Sequence, residues 1–426
     1  MERAFKIVVK GLVQGIGFRP YVFNLATFYA LKGWVKNTSR GVEIWIEGKE
    51  HLLKSFLEDL PKKVPPPGSI TELQFEEVNI QHYKNFEIIK GEGEERVELD
   101  LLPDLALCSF CKEELKDPEN RRFEYPFIAC TSCGPRFSVI EVLPYERENT
   151  TMRHFPLCKE CDREYKDPTN RRFHAEAIAC NRCGPQVVLV DPKGNLLAEK
   201  REALTLAQQF LREGKILALK GLTGFHLIAR ADREDIIETL RKRKKRPSKP
   251  LAIMVKDLEA AEKFVYLTKR DKELLTSPSA PILILKGKGN LPFNLTDGIN
   301  LIGIFLPYSP LHYLLLKDLN FPIICTSGNF SGEPLLFENE EAMGKLSKIA
   351  HYFLLHNRPI KRPLDDSVLK KADDFYIMIR RSRGYTPLPQ RIPFEIEKPL
   401  LAVGGNEKNT FALAFKNKII VSHHIG

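Results

Sequence analysis

The chain has 426 residues, 43% of them hydrophobic, and a net charge of +10 from 65 Lys and Arg against 55 Asp and Glu. That is too long for a single core, predicts about three domains, and excludes a disordered or fibrous chain. No apolar run is long enough to span a membrane and MERAFKIVVKGL lacks a signal-peptide core, so a cytoplasmic protein is expected, its positive charge fitting nucleic acid or an enzyme that handles phosphates.

Residues 5–10 (FKIVVK) alternate as a strand. Gly11, Gly15 and Gly17 then allow a tight turn, and apolar residues recur at helical spacing from Arg19 to Leu31, with Pro20 tolerated at the helix start. A glycine turn feeding a helix N-terminus is an anion cradle, because unpaired N–H groups and the helix dipole both favour negative charge. Arg19 adds a forked cation suited to phosphate. The strings Gly11-Leu12-Val13-Gln14-Gly15-Ile16-Gly17-Phe18-Arg19 and Gly33-Trp34-Val35-Lys36-Asn37 resemble the signature of the acylphosphatase family, departing from it only at Ile16, where valine is usual. The resemblance covers residues 4 to 90. It implies a ferredoxin-like βαββαβ sandwich over residues 1–92, whose loop Gln14, Gly15, Ile16, Gly17 and Phe18 binds the phosphate of an acyl phosphate. It also implies two catalytic residues: Arg19, which clamps the phosphoryl oxygens, and Asn37, which orients the attacking water. After it, PKKVPPPGSITEL reads as an extended loop and GEGEERVELDLLPDLAL as a linker.

Two cysteine arrays follow with one spacing, C-x2-C-x18-C-x2-C: Cys108, Cys111, Cys130 and Cys133, then Cys158, Cys161, Cys180 and Cys183. Their filling repeats as well, ELKDPENRRF at 114–123 and EYKDPTNRRF at 164–173, and each array ends Cys-Gly-Pro. A C-x2-C knuckle brings two thiolates to one metal from a single turn, and two knuckles complete the closed four-sulfur shell of structural Zn2+. Two structural zinc sites are therefore predicted in a tandem module over residues 100–190. Four knuckles allow three pairings, sequential or swapped. A disulfide framework belongs to secreted chains. Bound zinc would contribute on the order of 10 kcal/mol or more to folding a stretch with little apolar material.

From residue 198 to 388, strands such as KILALKG, PLAIMV, APILILKG and FPIICTSG alternate with helical stretches, beginning with an amphipathic helix at Glu199 to Glu213. This is an α/β domain. There is no Walker A sequence, so ATP would need another cradle. Three clusters stand out: Lys220 to Leu227 around a glycine turn, the basic run Arg241 to Leu251, and Thr326 to Pro334 after an apolar strand. A basic run usually reads as a solvated helix end, but the two prolines closing this one argue for a loop that presents cations to phosphates. Lys244-Lys245-Arg246-Pro247 and Ser327-Gly328-Asn329 resemble motifs of the YrdC-like family, the fold of threonylcarbamoyl-AMP synthase. His356-Asn357-Arg358-Pro359, Asp365-Asp366-Ser367-Val368 and Arg381-Ser382-Arg383-Gly384-Tyr385 also match that family. The resemblance implies activation of a carbamoyl group by ATP, with Mg2+, to an acyl-adenylate and pyrophosphate. Lys244, Arg246 and Arg381 would hold the ATP phosphates, Ser327 and Asn329 the nucleotide or carbamate, and Lys220 belongs to the same set. Cys325 reads as a core residue.

The last stretch, LLAVGGNEKNTFALAFKNKIIVSHHIG, reads as two strands of a new domain joined by a turn near Asn417. Leu401 to Ala414 resembles the opening of a Kae-like carbamoyl-transfer domain, here residues 398–426, with the rest expected beyond Gly426. Acylphosphatase-like, zinc, YrdC-like and Kae-like segments in that order resemble the HypF family of hydrogenase-maturation carbamoyltransferases. Membership implies α+β multidomain architecture and a stepwise carbamoyl transfer. Carbamoyl phosphate is hydrolysed to carbamate, carbamate is captured with ATP as carbamoyl-AMP, and the carbamoyl group passes to the C-terminal cysteine of a HypE-type maturation protein. There it becomes the precursor of a cyanide ligand on [NiFe]-hydrogenase iron. Neither a membrane nor a nucleic acid partner is needed. Two alternatives are a threonylcarbamoyl-AMP synthase-like tRNA-modifying or RNA-binding protein, which leaves Arg19 and Asn37 without work, and a non-catalytic scaffold, which would turn over neither phosphate substrate.

Overall fold

The computed structural model of the chain describes residues 2–65, 68–91, 100–405 and 409–425. Pro66 and Pro67 of the proline-rich loop, and residues 92–99 of the linker, lie outside them. The chain divides into two compact units, one of residues 1–102, 129–132 and 139–183, the other of residues 103–128, 133–138 and 184–426.

In the first unit the expected sandwich forms from β1 (Glu2–Leu12), α1 (Phe18–Phe28), β2 (Lys32–Thr38), β3 (Gly41–Lys49), α2 (Glu50–Asp59) and β4 (Ser69–Val78), joined by a short β5 (Phe86–Ile88). The sheet order is β4-β1-β3-β2-β5. Ile7 and Val9 of β1 pair directly with Ile44 and Val42 of β3, and all four are fully buried. The period-two alternation of those apolar residues is what selects strand over helix and turns one sheet face inward. The helices α1 and α2 cover that face with Val22, Ala26, Leu53 and Phe56.

Each cysteine array opens with a short helix that starts directly after its first cysteine, α3 (Ser109–Lys116) and α4 (Lys159–Lys166). The repeated filler then builds the same turns twice. Asp117 and Asp167 each accept the backbone N–H two residues on, at 3.0 and 2.9 Å, and Asn120 and Asn170 do the same for Arg122 and Arg172 at 2.9 Å. These are aspartate and asparagine turns, in which the side chain substitutes for a backbone acceptor. In both copies the next residue but one, Glu124 or His174, adopts the left-handed conformation, with φ of 52° and 49°.

The second unit carries an eleven-stranded mixed sheet. Its strands are β6 (Val187–Val190), β7 (Leu196–Glu199), β8 (Leu217–Lys220), β9 (Phe225–Arg230), β10 (Ile253–Met254), β11 (Ile282–Lys286), β12 (Leu301–Phe305), β13 (Ile323–Ser327), β14 (Tyr352–His356), β15 (Val368–Ala372) and β16 (Phe375–Arg380). They run in the order β16-β15-β11-β12-β10-β13-β9-β8-β14-β6-β7. The sheet thus begins ahead of residue 198, where the sequence pattern places the start of this domain. Strands β8, β9 and β13 are buried on both faces, which explains their unbroken apolar sequences. Flanking helices include α5 (Lys200–Arg212) and α6 (Glu234–Lys244).

Two expectations are corrected here. The basic run is not wholly a loop: Arg241 to Lys244 form the last turn of α6, and the helix stops at Lys245, whose φ is 55°. Cations at a helix C-terminus complement the dipole, so the charge run is compatible with helix until the left-handed residue ends it. The chain also does not reverse near Asn417. β17 (Gln390–Ala402) pairs antiparallel with β18 (Ala412–Val421), and Asn417 lies inside β18. Lys416 at φ 51° and the interrupted register make a local break that, in sequence, looks like a turn. No helix among the described residues is long and apolar enough to cross a membrane.

Candidate active sites

The loop after β1 turns through Gly15 and Gly17, at φ 76° and 78°, and Gly17 is the N-cap of α1. A Cβ on Gly17 would lie 3.0 Å from that of Thr131, so close approach as well as handedness requires glycine. The Gln14 side chain is engaged within the fold. Its Nε2 donates to the carbonyls of Thr38 and Gly41 at 2.7 and 2.8 Å, and its Oε1 accepts from the Tyr145 N–H at 3.2 Å. Ile16 and Phe18 are core residues. The loop's capacity for an anion therefore rests on backbone N–H groups and Arg19.

Arg19 is buried and already doubly paired. Its Nη1 donates to Glu146 Oε1 and its Nη2 to Glu176 Oε1, each at 2.6 Å. Burial disfavours the guanidinium charge, but Glu146 and Glu176 outweigh it and hold its pKa above the ordinary value. Asn37, also buried, donates through Nδ2 to the Tyr145 carbonyl at 3.1 Å. Its Oδ1 is a buried acceptor with no hydrogen-bond partner, the kind of atom a water O–H would satisfy. Adjacent residues, Tyr145 and Glu146, thus anchor the two predicted catalytic side chains.

Glu176 is fixed at both oxygens. Oε2 accepts from the Tyr165 hydroxyl and the Arg147 N–H, each at 2.8 Å. Burial pushes its carboxyl up to about 7, with Arg19 opposing and Glu146 adding to the rise. The Arg147 guanidinium donates to three carbonyls, of Phe155, Glu176 and Ile178, at 2.6 to 2.9 Å. A cavity of about 600 Å³ lies beside these groups, lined by Arg19, Lys90, Glu146, Arg147, Arg153 and His174 among others. Burial and Arg19 push the imidazole of His174 down to about 3, so it is neutral at pH 7.

Glu146 and Glu176 were not singled out in the sequence. One signal was available: where the first array has Glu124-Tyr125-Pro126, the second has His174-Ala175-Glu176. Two copies that fold alike but differ at one turn mark that turn as specialised. The first copy's Glu124 instead pairs with Arg201 and Lys317, at 2.7 and 3.1 Å.

Both cysteine arrays close on themselves in sequence order, Cys108, Cys111, Cys130 and Cys133 in one group and Cys158, Cys161, Cys180 and Cys183 in the other. This selects the sequential pairing over the swapped ones. Sulfur separations of 3.6 Å (Cys111–Cys133, Cys161–Cys183), 3.7 Å (Cys180–Cys183) and 3.8 Å (Cys158–Cys180) are far beyond a disulfide bond. A tetrahedron of thiolates about 2.3 Å from Zn2+ has edges of about 3.8 Å. The donor set and spacing fit structural zinc.

In the second unit Lys244, Ser327 and Asn329 meet. Lys244 Nζ donates to the Ser327 carbonyl at 2.6 Å, to Asn329 Oδ1 at 2.8 Å and to the Asn329 carbonyl, while Ser327 Oγ donates to Asn329 Oδ1 at 2.8 Å. Arg246 joins through Thr326 Oγ1 at 3.2 Å. Burial, with Arg246 adding, pushes Lys244 down to about 7, and burial pushes Arg246 down to about 10. Crowded cations held off their usual pKa values have too little counter-charge, and a polyphosphate would supply it. Lys220 and Arg381 make no hydrogen bond to this group. Lys220 is pushed down to about 8 by burial. Arg381 spends its guanidinium on Thr386 Oγ1 and the carbonyls of Tyr385, Leu388 and Val421. Nearby in sequence, the 365–368 and 381–385 motifs do meet: Arg383 Nε donates to Asp366 Oδ1 at 2.7 Å, and His226 Nε2 lies 3.2 Å from Asp366 Oδ2. Burial works against the Asp366 charge, yet Arg383 and His226 hold its carboxyl well below the usual range. His226, His312 and buried Cys325 bring their ligand atoms within 4.8 Å of one another. With His226 on Asp366 and His312 Nδ1 2.8 Å from Ser309 Oγ, the histidines there are satisfied as a hydrogen-bonded network.

Comparison with known proteins covers most of the chain. Residues 5–88 match the acylphosphatase family, 107–140 and 157–190 the HypF finger, 209–382 the Sua5/YciO/YrdC telomere recombination family, and 395–426 the HypF Kae1-like domain. The chain is 46% identical to the carbamoyltransferase HypF of Synechocystis sp., over 100% of this chain and 56% of that protein. It is 45% identical to a probable carbamoyltransferase HypF of Methanocaldococcus jannaschii, over 99% of this chain and 55% of that one. A crystal structure of full-length HypF in its phosphate- and nucleotide-bound form superposes with a TM-score of 0.96 at 43% identity, over 100% of this chain and 56% of that chain. The chain thus spans about half the length of the relatives it matches.

Proposed function

Since this chain belongs to the HypF carbamoyltransferase family, we propose that it carries out the opening steps of a carbamoyl transfer: hydrolysis of carbamoyl phosphate, then capture of the carbamate as carbamoyl-AMP. The observation that carries the reading is the presence, in one chain, of the Arg19–Asn37 pair and of the undercompensated cation cluster at Lys244 and Arg246. The phosphate- and nucleotide-bound relative supports both halves.

In the first step Arg19 and the Gly15–Gly17 loop hold the phosphoryl oxygens, and Asn37 Oδ1 accepts a proton hydrogen bond from the attacking water. Water adds to phosphorus, the bridging P–O bond breaks, and carbamate leaves with its electron pair; the products are carbamate, inorganic phosphate and a proton. In the second, a carbamate oxygen attacks the α-phosphorus of ATP, supplied with Mg2+, and pyrophosphate leaves. Hydrolysis alone would waste the acyl group; adenylation reactivates it for thiolate attack. The final acceptor is the C-terminal cysteine of a HypE-type maturation protein, which displaces AMP. The two zinc ions hold structure and take no part in bond making. We assign the hydrolytic domain to residues 1–92, the zinc module to 100–190, the adenylating domain to 198–388 and the transfer domain's opening to 398–426, in a cytoplasmic protein.

The test is AMP and pyrophosphate release from ATP by the zinc-loaded chain, with and without carbamoyl phosphate. Release that requires carbamoyl phosphate is the expected result. Release driven by threonine plus bicarbonate, and indifferent to carbamoyl phosphate, would overturn the reading in favour of a threonylcarbamoyl-adenylate enzyme. Lys244→Ala is expected to weaken ATP binding at least about tenfold by calorimetry. It removes a phosphate-side cation and also strips the Ser327–Asn329 turn of the donor to two part-buried carbonyls.

A further inference from the structure

The two carboxylates on Arg19 are not equivalent. Glu176 has both oxygens engaged, by Arg19 on one side and by Tyr165 and the Arg147 N–H on the other, and it does not line the cavity. Glu146 does line it. Its Oε1 is bonded to Arg19, and among the described residues Oε2 makes no hydrogen bond. An arginine has a second N–H on each terminal nitrogen, so Arg19 can grip phosphoryl oxygens while keeping both carboxylates. A phosphate gripped by Arg19 would bring its acyl group toward the cavity that Glu146 lines.

We propose that Glu146 reads the carbamoyl group: its Oε2 accepts a hydrogen bond from the carbamoyl amino group and makes the hydrolytic site selective for carbamoyl phosphate over acyl phosphates that lack an N–H. Glu176 is a positioning residue that fixes the Arg19 fork. The inference rests on the function proposed above and adds the origin of its substrate choice. Acetyl phosphate differs from carbamoyl phosphate by a methyl in place of the amino group, at nearly the same size. A hydrophobic pocket separates such a pair poorly, whereas a buried acceptor left facing a methyl is strongly penalised. Placing a carboxylate near a phosphoryl dianion costs repulsion, which Arg19 between the two opposes. Of the other cations around the cavity, Lys90 and Arg153 are paired with Glu148 and Glu141, and Arg147 is held by backbone carbonyls.

The experiment compares kcat/KM for carbamoyl phosphate and acetyl phosphate, followed by phosphate release, in the zinc-loaded wild type, Glu146→Leu, Glu146→Gln and Arg19→Ala. The wild type is expected to prefer carbamoyl phosphate. Glu146→Leu should lower the carbamoyl-to-acetyl ratio at least about tenfold, and Glu146→Gln, which keeps a carbonyl acceptor, should retain most of it. A wild type that uses acetyl phosphate at least as well overturns the proposal whatever the variants do. So does a ratio in Glu146→Leu or Glu146→Gln that does not follow this order while Arg19→Ala has lost both activities; the function proposed above then stands. If the wild type hydrolyses neither substrate above the uncatalysed rate, both readings fall together.

Discussion

Arg19→Ala is expected to reduce acyl phosphate hydrolysis at least about a thousandfold, to the level of the loop and water alone. A guanidinium stabilising a transferring phosphoryl group is typically worth three or more orders of magnitude, because its fork meets charge that grows toward the transition state. The same substitution leaves Glu146 and Glu176 facing each other without their shared cation, and removing one partner of a buried charge network typically costs about 3–5 kcal/mol. Activity must therefore be read on protein shown to be folded, and Arg19→Lys is the companion variant: it keeps the charge and loses the fork. A pH signature separates the two effects. Glu176 already has a carboxyl pushed up in the folded chain, to about 7, so the folded state binds that proton more tightly than the unfolded one. Its contribution is most favourable below the unfolded value near 4.5 and diminishes as pH rises toward 7. Without Arg19 the rise in pKa is larger, and thermal melts of the variant should lose stability more steeply between pH 5 and pH 8 than those of the wild type.

Cys161→Ser is the second large effect. It breaks one closed thiolate shell, so bound zinc should fall from two to one per chain by elemental analysis. The apparent folding contribution of such a site is on the order of 10 kcal/mol. Nothing else is comparable in the short, polar α4, whose only buried side chain is Cys161 itself. Because α4 carries Tyr165, and the turn held beneath it carries His174 and Glu176, the substitution should take acyl phosphate hydrolysis with it while ATP binding at Lys244 persists. Cys111→Ser, in the other array, should leave Arg19 in its carboxylate pair and release Glu124 from Arg201 and Lys317. Equal loss of both functions in both variants would show that the metals stabilise the chain as a whole.

What was legible in the sequence was what is written locally. The cysteine spacing names its ligand by itself, and the loop to Arg19 with Gly33 to Asn37 are contiguous strings whose chemistry follows from residue type. The partners of Arg19 were not legible, since Glu146 and Glu176 lie 127 and 157 positions away in a chain with 55 acidic residues. Gln14 illustrates the converse. It sits inside the phosphate-loop string, yet its amide is consumed by the Thr38 and Gly41 carbonyls and so braces the loop. The reversal expected at Asn417 failed because one left-handed residue can kink a strand as readily as turn a hairpin, and only the partner strand distinguishes them.

The tandem arrays also bear on how such a protein can change. In each copy the cysteine cluster and the Asp and Asn turns shape the backbone up to the left-handed residue in the same way. Positions 124–126 and 174–176 therefore differ between two copies of one frame, although Tyr125 is fully buried and Ala175 packs in a small core with Cys161, Ile178 and Cys180. One copy presents Glu124 to Arg201 and Lys317, the other Glu176 to Arg19. Two copies of one fold thus serve as adaptors of one shape that present different side chains to different partners.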